Sequence, residues 1–364
     1  MDHPDLTPID HAARIERVVE HVGERSLLVT DLTDLRWLTG FTTSHGWAVV
    51  RNGEVFVGTD GRYGDKAVAE TAGTGATIVV EQRRETLEDC LHQLVAGTAL
   101  LVDGGFVAHR RWLDMAARGT ELVQVDTPLA QYRAIKDDAE VERIALAAAN
   151  ADAALAEVEP MLVEGATELD IRAELEFRMI HHGAEDRSYP TIVAAGPDHG
   201  ARPHHAASRR ALADGDTLII DVGALVDGYH SDMTRSWVIG EATDEQRDTY
   251  ELVARSQRAG LDAVGPGRSS KMLDAACRDV FEAAGRLTEY IHGTGHGVGL
   301  DIHEAPFHNQ SSDVELRPGM VVTVEPGLYR GGFGGFRIED LVLVTDGTDD
   351  AGHRVLTHTP KREL

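Results

Sequence analysis

Cysteine is nearly absent. Only Cys90 and Cys277 occur in 364 residues, far apart and without metal-ligand or redox spacing, so no disulfide framework organises the fold and two reduced thiols are expected. Basic charge is also scarce: Lys and Arg number 35 against 61 Asp and Glu, a formal net charge of −26. That balance argues against nucleic acid and against anionic membrane surfaces as partners. No apolar run approaches the roughly 20 residues of a membrane span. The opening Met1-Asp2-His3-Pro4-Asp5 is acidic where a secretory signal would be basic and then apolar, so a cytoplasmic location is expected and Asn309-Gln310-Ser311 carries no weight as a glycosylation site.

What is present is ample material for a large core, with 42% hydrophobic residues. The length exceeds the range in which one core keeps growing, and two domains are expected. The first third alternates short apolar runs with turn residues: Ser26–Thr30, Trp47–Val50, Glu54–Val57, Ala76–Val80 and Ala99–Val102 read as strands. Asn52-Gly53 between two of them is a hairpin turn, and helical patterns at His11–His21 and Thr86–Ala96 intervene. An α/β domain over residues 1–132 follows. An Ala-rich amphipathic helix from Asp137 to Met161 then opens a second unit, 137–364. That unit continues with a helix at Thr167–His181, strands at Thr217–Ala224 and Met233–Ile239, helices at Asp244–Val264 and Ser269–Ala284, and strands at Val321–Val324 and Phe336–Val344. Helices followed by a hairpin thus occur twice, as an α+β domain with a pseudo-two-fold axis would require.

The chemistry lies in that repeat. Asp221 closes the apolar run Thr217-Leu218-Ile219-Ile220, and a buried carboxylate needs compensation. An Asp227-Gly228 turn returns the chain to Asp232, so a hairpin brings the two aspartates together. Glu325 closes a second apolar run, Val321–Val324, and Glu339 follows a glycine-rich turn. His296 stands among Gly293, Gly295, Gly297 and Gly299, residues that allow close approach to a bound group and leave the imidazole unobstructed. Four carboxylates brought together repel one another. Two divalent cations cancel that charge and, held about 3.5–4 Å apart, share a hydroxide nucleophile. Glu325 is the preferred proton acceptor. His204, favoured over its neighbour His205, and His303 suit donation to a developing oxyanion and to a leaving amine.

With these residues in place, the chain resembles the creatinase/aminopeptidase P/prolidase metallopeptidases, the pita-bread family M24, over nearly its whole length. Trp37-Leu38-Thr39-Gly40-Phe41, Thr59-Asp60-Gly61-Arg62-Tyr63 and Tyr132-Arg133-Ala134-Ile135-Lys136 are similar to its creatinase-type N-terminal domain and the entry to its catalytic domain. Asp221-Val222-Gly223, Ser231–Arg235, Gly295–Gly299, His303–Pro306, Glu325–Tyr329 and Arg337–Asp340 are similar to its catalytic segments. The resemblance implies a pita-bread domain behind a smaller α/β domain, with Asp221, Asp232, His296, Glu325 and Glu339 as ligands of two divalent ions. Manganese leads, with cobalt, zinc or iron open. It implies His204, His303, Glu325 and Arg337 as catalytic residues around the substrate, and hydrolysis of the Xaa-Pro bond by a metal-bridging hydroxide. The enzyme would be an aminopeptidase or dipeptidase acting on peptides with proline second, and a homodimer. The alternative on the same fold is a metal-dependent hydrolase or lyase of a small non-peptide metabolite. Five intact ligands speak against metal-free creatine hydrolysis and against an inactive binding module. The stretch Gly196–Arg202 departs from the Asn-containing segment common in the family, so the pocket lip is expected to differ.

Overall fold

The computed structural model describes residues 6–348 and 351–364. It divides into two compact units, Pro8–Arg133 and Ala134–Leu364, the latter joined by Leu6 and Thr7.

The first unit is a mixed sheet with helices. Its strands are β1 (Ser26–Val29), β2 (Gly46–Arg51), β3 (Glu54–Asp60), β4 (Thr77–Glu81), β5 (Ala99–Asp103) and β6 (Glu121–Val125), in the order β4-β3-β2-β1-β5-β6. The β2–β3 hairpin turns on Asn52 (φ 51°) and Gly53 (φ 84°), the pair of positive φ values that a tight two-residue turn demands. Helices α1 (His11–Val22), α2 (Leu32–Thr39), α3 (Gly64–Glu70), α4 (Arg84–Val95), α5 (His109–Ala117) and the short α6 (Ala130–Arg133) complete the unit. Leu87, Leu91 and Val95 of α4 pack on Leu28, Val49, Leu100 and Val102 of the sheet.

The second unit holds the site. Helix α7 (Asp138–Val158) starts in a capping box formed by Asp137 and Glu140, and α8 (Glu168–His181) starts at Thr167. Their apolar faces, including Ala151, Leu155, Ile171, Leu175 and Met179, cover one face of a sheet built from β8 (Ile192–Ala195), β9 (Thr217–Val222) and β12 (Met233–Val238). The second half repeats the scheme. Helices α10 (Asp244–Ala263) and α11 (Ser270–Ala283) lie on the five-stranded sheet β14-β13-β15-β18-β19, made by β13 (Gly295–Gly297), β14 (Glu304–His308), β15 (Val321–Val324), β18 (Asp340–Val344) and β19 (His353–Val355). Smaller pieces are β7 (Asp186–Arg187), β10 (Ala224–Val226), β11 (Tyr229–His230), the pair β16 (Gly327–Arg330) and β17 (Gly334–Arg337), and the short helix α9 (Gly196–His199).

Two expected strands are broken. The run expected at Thr217–Ala224 stops at Val222. A Cβ on Gly223 would fall 2.0 Å from the carbonyl oxygen of Ser231, and β10 joins a separate sheet with β7 and β11. The run expected at Phe336–Val344 breaks at Ile338-Glu339: β17 pairs with β16, while β18 pairs with β15. Both breaks fall beside carboxylates of the candidate site.

One buried charge cluster ties the halves together. Arg235 of β12 donates to Asp340 of β18 at 2.8 Å, and Gln257, Thr357 and Lys361 also donate to that carboxylate, at 2.8, 3.0 and 2.6 Å. Burial pushes the Asp340 carboxyl up, but Arg235 and Lys361 together hold it below its usual range. Asp340→Asn should leave Arg235 buried without its counter-charge and cost about 3–5 kcal/mol in urea unfolding at pH 7. Because the folded pKa is depressed, this contribution is present above the unfolded value of about 3.9 and is lost below it. The gap between wild type and variant should therefore close under acid conditions.

Candidate metal centre

Strand periodicity places the carboxylates. In β9, Leu218, Ile220 and Val222 enter the core beneath α7 and α8, so Asp221 faces away from those helices. Across the ladder Asp221 pairs with Thr234, two residues after Asp232. The turn between β10 and β11 uses Asp227 (φ 44°) and Gly228 (φ 73°), a tight two-residue turn that fixes the return of the chain. In β15, Val322 and Val324 enter the second core. Thr323 points the other way, its hydroxyl accepting from the backbone N–H of His296 at 3.1 Å, and Glu325 follows on the same face. Glu339 sits at the break between β17 and β18, where its N–H donates to the carbonyl of Thr234 at 3.1 Å and its Oε2 accepts from the Thr234 hydroxyl at 2.7 Å.

The side chains converge. Ligand atoms of Asp232, His296 and Glu339 lie within 4.8 Å of one another. His296 Nε2 is 3.6 Å from Asp232 Oδ2 and 3.5 Å from Glu325 Oε1. His296 Nδ1 lies 3.0 Å from the carbonyl of Gly297; a proton held there leaves the Nε2 lone pair turned toward the carboxylates, the tautomer a metal ligand needs. Asp221 is joined to the group through Tyr189, whose hydroxyl faces Oδ1 of both Asp221 and Asp232. A phenol has one proton, so it satisfies only one of these two carboxylates.

The electrostatics are those of charge in want of a cation. Asp232 and Glu339 are 5% and 2% exposed. Burial raises the carboxyls of both well above their usual range, and neighbouring carboxylates add to it, Asp221 acting on Asp232 and Asp232 on Glu339. Burial also raises Glu325, against the pull of His292 and Arg337. Four acidic side chains with an inward imidazole nitrogen match the donor set of a divalent-cation site, and cations there would remove the repulsion.

A cleft of about 370 Å³ opens onto this cluster, lined by His204, Asp221, His296, His303, Glu325 and Arg337 among others. His303 meets His296 edge to face, with ring centroids 4.4 Å apart. His204 stands exposed on the loop before β9. Arg337 is differently engaged from a free substrate clamp. Its Nε donates to Thr234 at 2.9 Å, its Nη1 to Pro203 O and Tyr329 Oη, both at 2.9 Å, and its Nη2 to Asp221 at 2.5 Å.

The glycines around His296 also differ in purpose from the sequence expectation. A Cβ on Gly295 would lie 2.1 Å from the carbonyl oxygen of Thr323, and one on Gly297 would lie 2.4 Å from that of Ala305. They let β13 pass between its neighbouring strands. Three residues at the site had no assigned role in the sequence: Tyr189, Tyr329, and His292, whose Nε2 lies 3.1 Å from Tyr329 Oη. His292 heads the same glycine run as His296 and was open to notice there, whereas Tyr189 lies in a segment with no distinguishing pattern.

Known proteins are similar to this chain along its length. Residues 142–346 match metallopeptidase family M24, and residues 14–135 match the creatinase/prolidase N-terminal domain. The chain is 33% identical over 354 residues to the uncharacterized peptidase YqhT of Bacillus subtilis, covering 96% of this chain and 98% of that one. It is 31% identical over 358 residues to the Xaa-Pro dipeptidase of Pyrococcus horikoshii, again covering 96% and 98%. The solved structure of an Xaa-Pro dipeptidase from Bacillus anthracis superposes with a TM-score of 0.90 at 32% identity, over 97% of this chain and 98% of that one. Similarity along the full length, joined to a buried carboxylate and imidazole cluster at the floor of a cleft, establishes that this chain belongs to metallopeptidase family M24 and is a divalent-metal peptidase with a creatinase/prolidase N-terminal domain.

Proposed function

We propose that the protein is an Xaa-Pro dipeptidase whose Asp221, Asp232, His296, Glu325 and Glu339 hold two divalent cations. The observation that carries the reading is the convergence of buried Asp232, His296 and Glu339 within 4.8 Å, behind a cleft that Asp221 and Glu325 help to line. Relatives of full-length similarity named Xaa-Pro dipeptidases support the substrate class. When bound, the cations would neutralise the carboxylates, polarise the scissile carbonyl and lower the pKa of a water held against it.

The remaining steps belong to side chains. Glu325, 18% exposed at its side chain and facing the cleft, takes the proton of the attacking water and returns it to the departing proline nitrogen. His303, held against the edge of His296, donates to the oxygen that gains charge on the scissile carbonyl. His204 contacts the substrate from the cleft lip. Arg337 acts through others: its guanidinium is spent on Asp221, Tyr329 and Pro203, so it positions the first aspartate and the lip. Carboxylate-rich donors favour a hard cation, and manganese is the first choice, before cobalt, zinc or iron. A homodimer, following the family resemblance, and a cytoplasmic location complete the proposal.

Purified protein stripped with a chelator should release no proline from Xaa-Pro dipeptides and should regain activity with manganese. Dipeptides should be cleaved in preference to longer peptides with proline second. Metal-dependent turnover of small non-peptide amides without proline release would contradict the reading, as would the absence of any metal-dependent release. Asp232→Asn removes one charge from the crowded cluster. In chelator it should melt at or above wild type, since burial and then the Asp221 charge hold the Asp232 carboxyl well above its usual range, and an uncharged amide carries neither cost. It should also lose the stabilisation that added manganese gives the wild type, as thermal melts with and without the ion would show.

A further inference from the structure

A second set of ligand-type side chains lies outside this cluster. Glu168, at the start of α8, is fully buried. One of its carboxylate oxygens and one ring nitrogen each from His199 and His205 lie within 4.8 Å of one another. Its carboxylate accepts from the backbone N–H of Ala195 at 2.9 Å, the backbone N–H of Ser208 at 3.1 Å and the Ser208 hydroxyl at 2.7 Å. His199 Nδ1 stands 2.9 Å from Oε1. The rings of His199 and His205 stack with centroids 3.9 Å apart. His205 Nε2 is buried and has no hydrogen-bond partner among the described residues.

That last atom separates a ligand site from a simple hydrogen-bonded carboxylate. A buried imidazole nitrogen without a partner costs about 1–3 kcal/mol, and it sits beside the buried carboxylate of Glu168. Burial, followed by the influence of His199, keeps His205 toward its neutral form, the form that offers a lone pair. A cation placed among the three residues would give His205 a partner and offset the charge of Glu168. Ligand atoms about 2.0–2.2 Å from a tetrahedral zinc ion stand roughly 3.3–3.6 Å from one another. From a spread of at most 4.8 Å, side-chain adjustments of about an ångström complete the geometry.

We propose that Glu168, His199 and His205 form a separate site for a single late transition-metal cation of the zinc class, with a water as fourth ligand. Its place in the chain gives it a structural consequence. His199 ends α9, His205 adjoins cleft-lining His204, and Glu168 also grips Ala195 at the end of β8, the strand that pairs Ile192 with Asp221. An ion here would fasten the lip of the cleft to α8. Occupancy should therefore act on KM more than on kcat.

The test counts zinc. A doubly substituted chain, Asp232→Asn with Glu339→Gln, weakens the main cluster. After equilibration with zinc and removal of free ion, it should retain one equivalent per chain, and adding His205→Ala should abolish it. Cobalt bound in its place should give the intense visible absorption of a tetrahedral N/O site, absent in the His205→Ala protein. If the double substitution does not fold, wild type and His205→Ala are compared directly. His205 is partly exposed, and its replacement should lower the zinc content by one equivalent with an unchanged fold by circular dichroism. Equal zinc content with and without His205 in either comparison would overturn the proposal. Failure of the two-cation reading of the main cluster would show instead as a low content in wild type that His205→Ala still lowers by one equivalent.

Discussion

Carboxylates crowded together at the floor of a cleft, two of them almost wholly buried, are the constraint around which the second unit is built. The cost of burying an ionised carboxylate is several kcal/mol even after relaxation, and the whole stability of a domain is about 5–15 kcal/mol. Asp232 and Glu339 are almost wholly enclosed, with Asp221 and Glu325 beside them. Hydrogen bonds cover part of the need: the Thr234 hydroxyl serves Glu339, Arg337 serves Asp221, and the single proton of Tyr189 serves one of the two aspartates it faces. What they leave over is a crowded set of carboxylates with His296 Nε2 turned toward them, a need that divalent cations would answer.

The architecture follows from presenting those groups on one side while burying the other. Alternate residues of β9 and β15 enter the two helix-covered cores, leaving Asp221, Thr323 and Glu325 on the opposite faces. The strands break at Gly223, where the backbone of Ser231 comes close, and at Glu339, where the partner strand changes; both breaks lie beside the carboxylates. Arg235 and Asp340, one from each half, hold the halves in register close behind Glu339, since Arg235 Nη1 also donates to the Glu339 carbonyl. The site and the seam between the halves are thus one construction.

Much of this was readable because the relevant signals are local. Asp221 and Glu325 each end an apolar run, and Asp227-Gly228 and Asn52-Gly53 announce their turns by residue type alone. The break at Glu339 was not read, since Phe336, Ile338 and Leu341–Val344 suit a single strand and the division depends on which partner strand each part meets. Strand β6 was hidden for the same reason: Glu121–Val125 mixes polar and apolar residues, and its pairing with β5 is non-local. Tyr189 stands 32 and 43 positions from the aspartates it bonds, and no local periodicity reports such a contact. The glycines near His296 were visible, but the demand on them comes from strand backbones and so was assigned to the wrong neighbour.

The most direct test is crystallographic. Protein crystallised with manganese and measured for anomalous scattering should show two peaks about 3.5–4 Å apart, one beside His296 and Glu339 and both within reach of Asp232, Glu325 or Asp221. A cluster that holds no anomalous scatterer while its five side chains keep their positions would contradict the account.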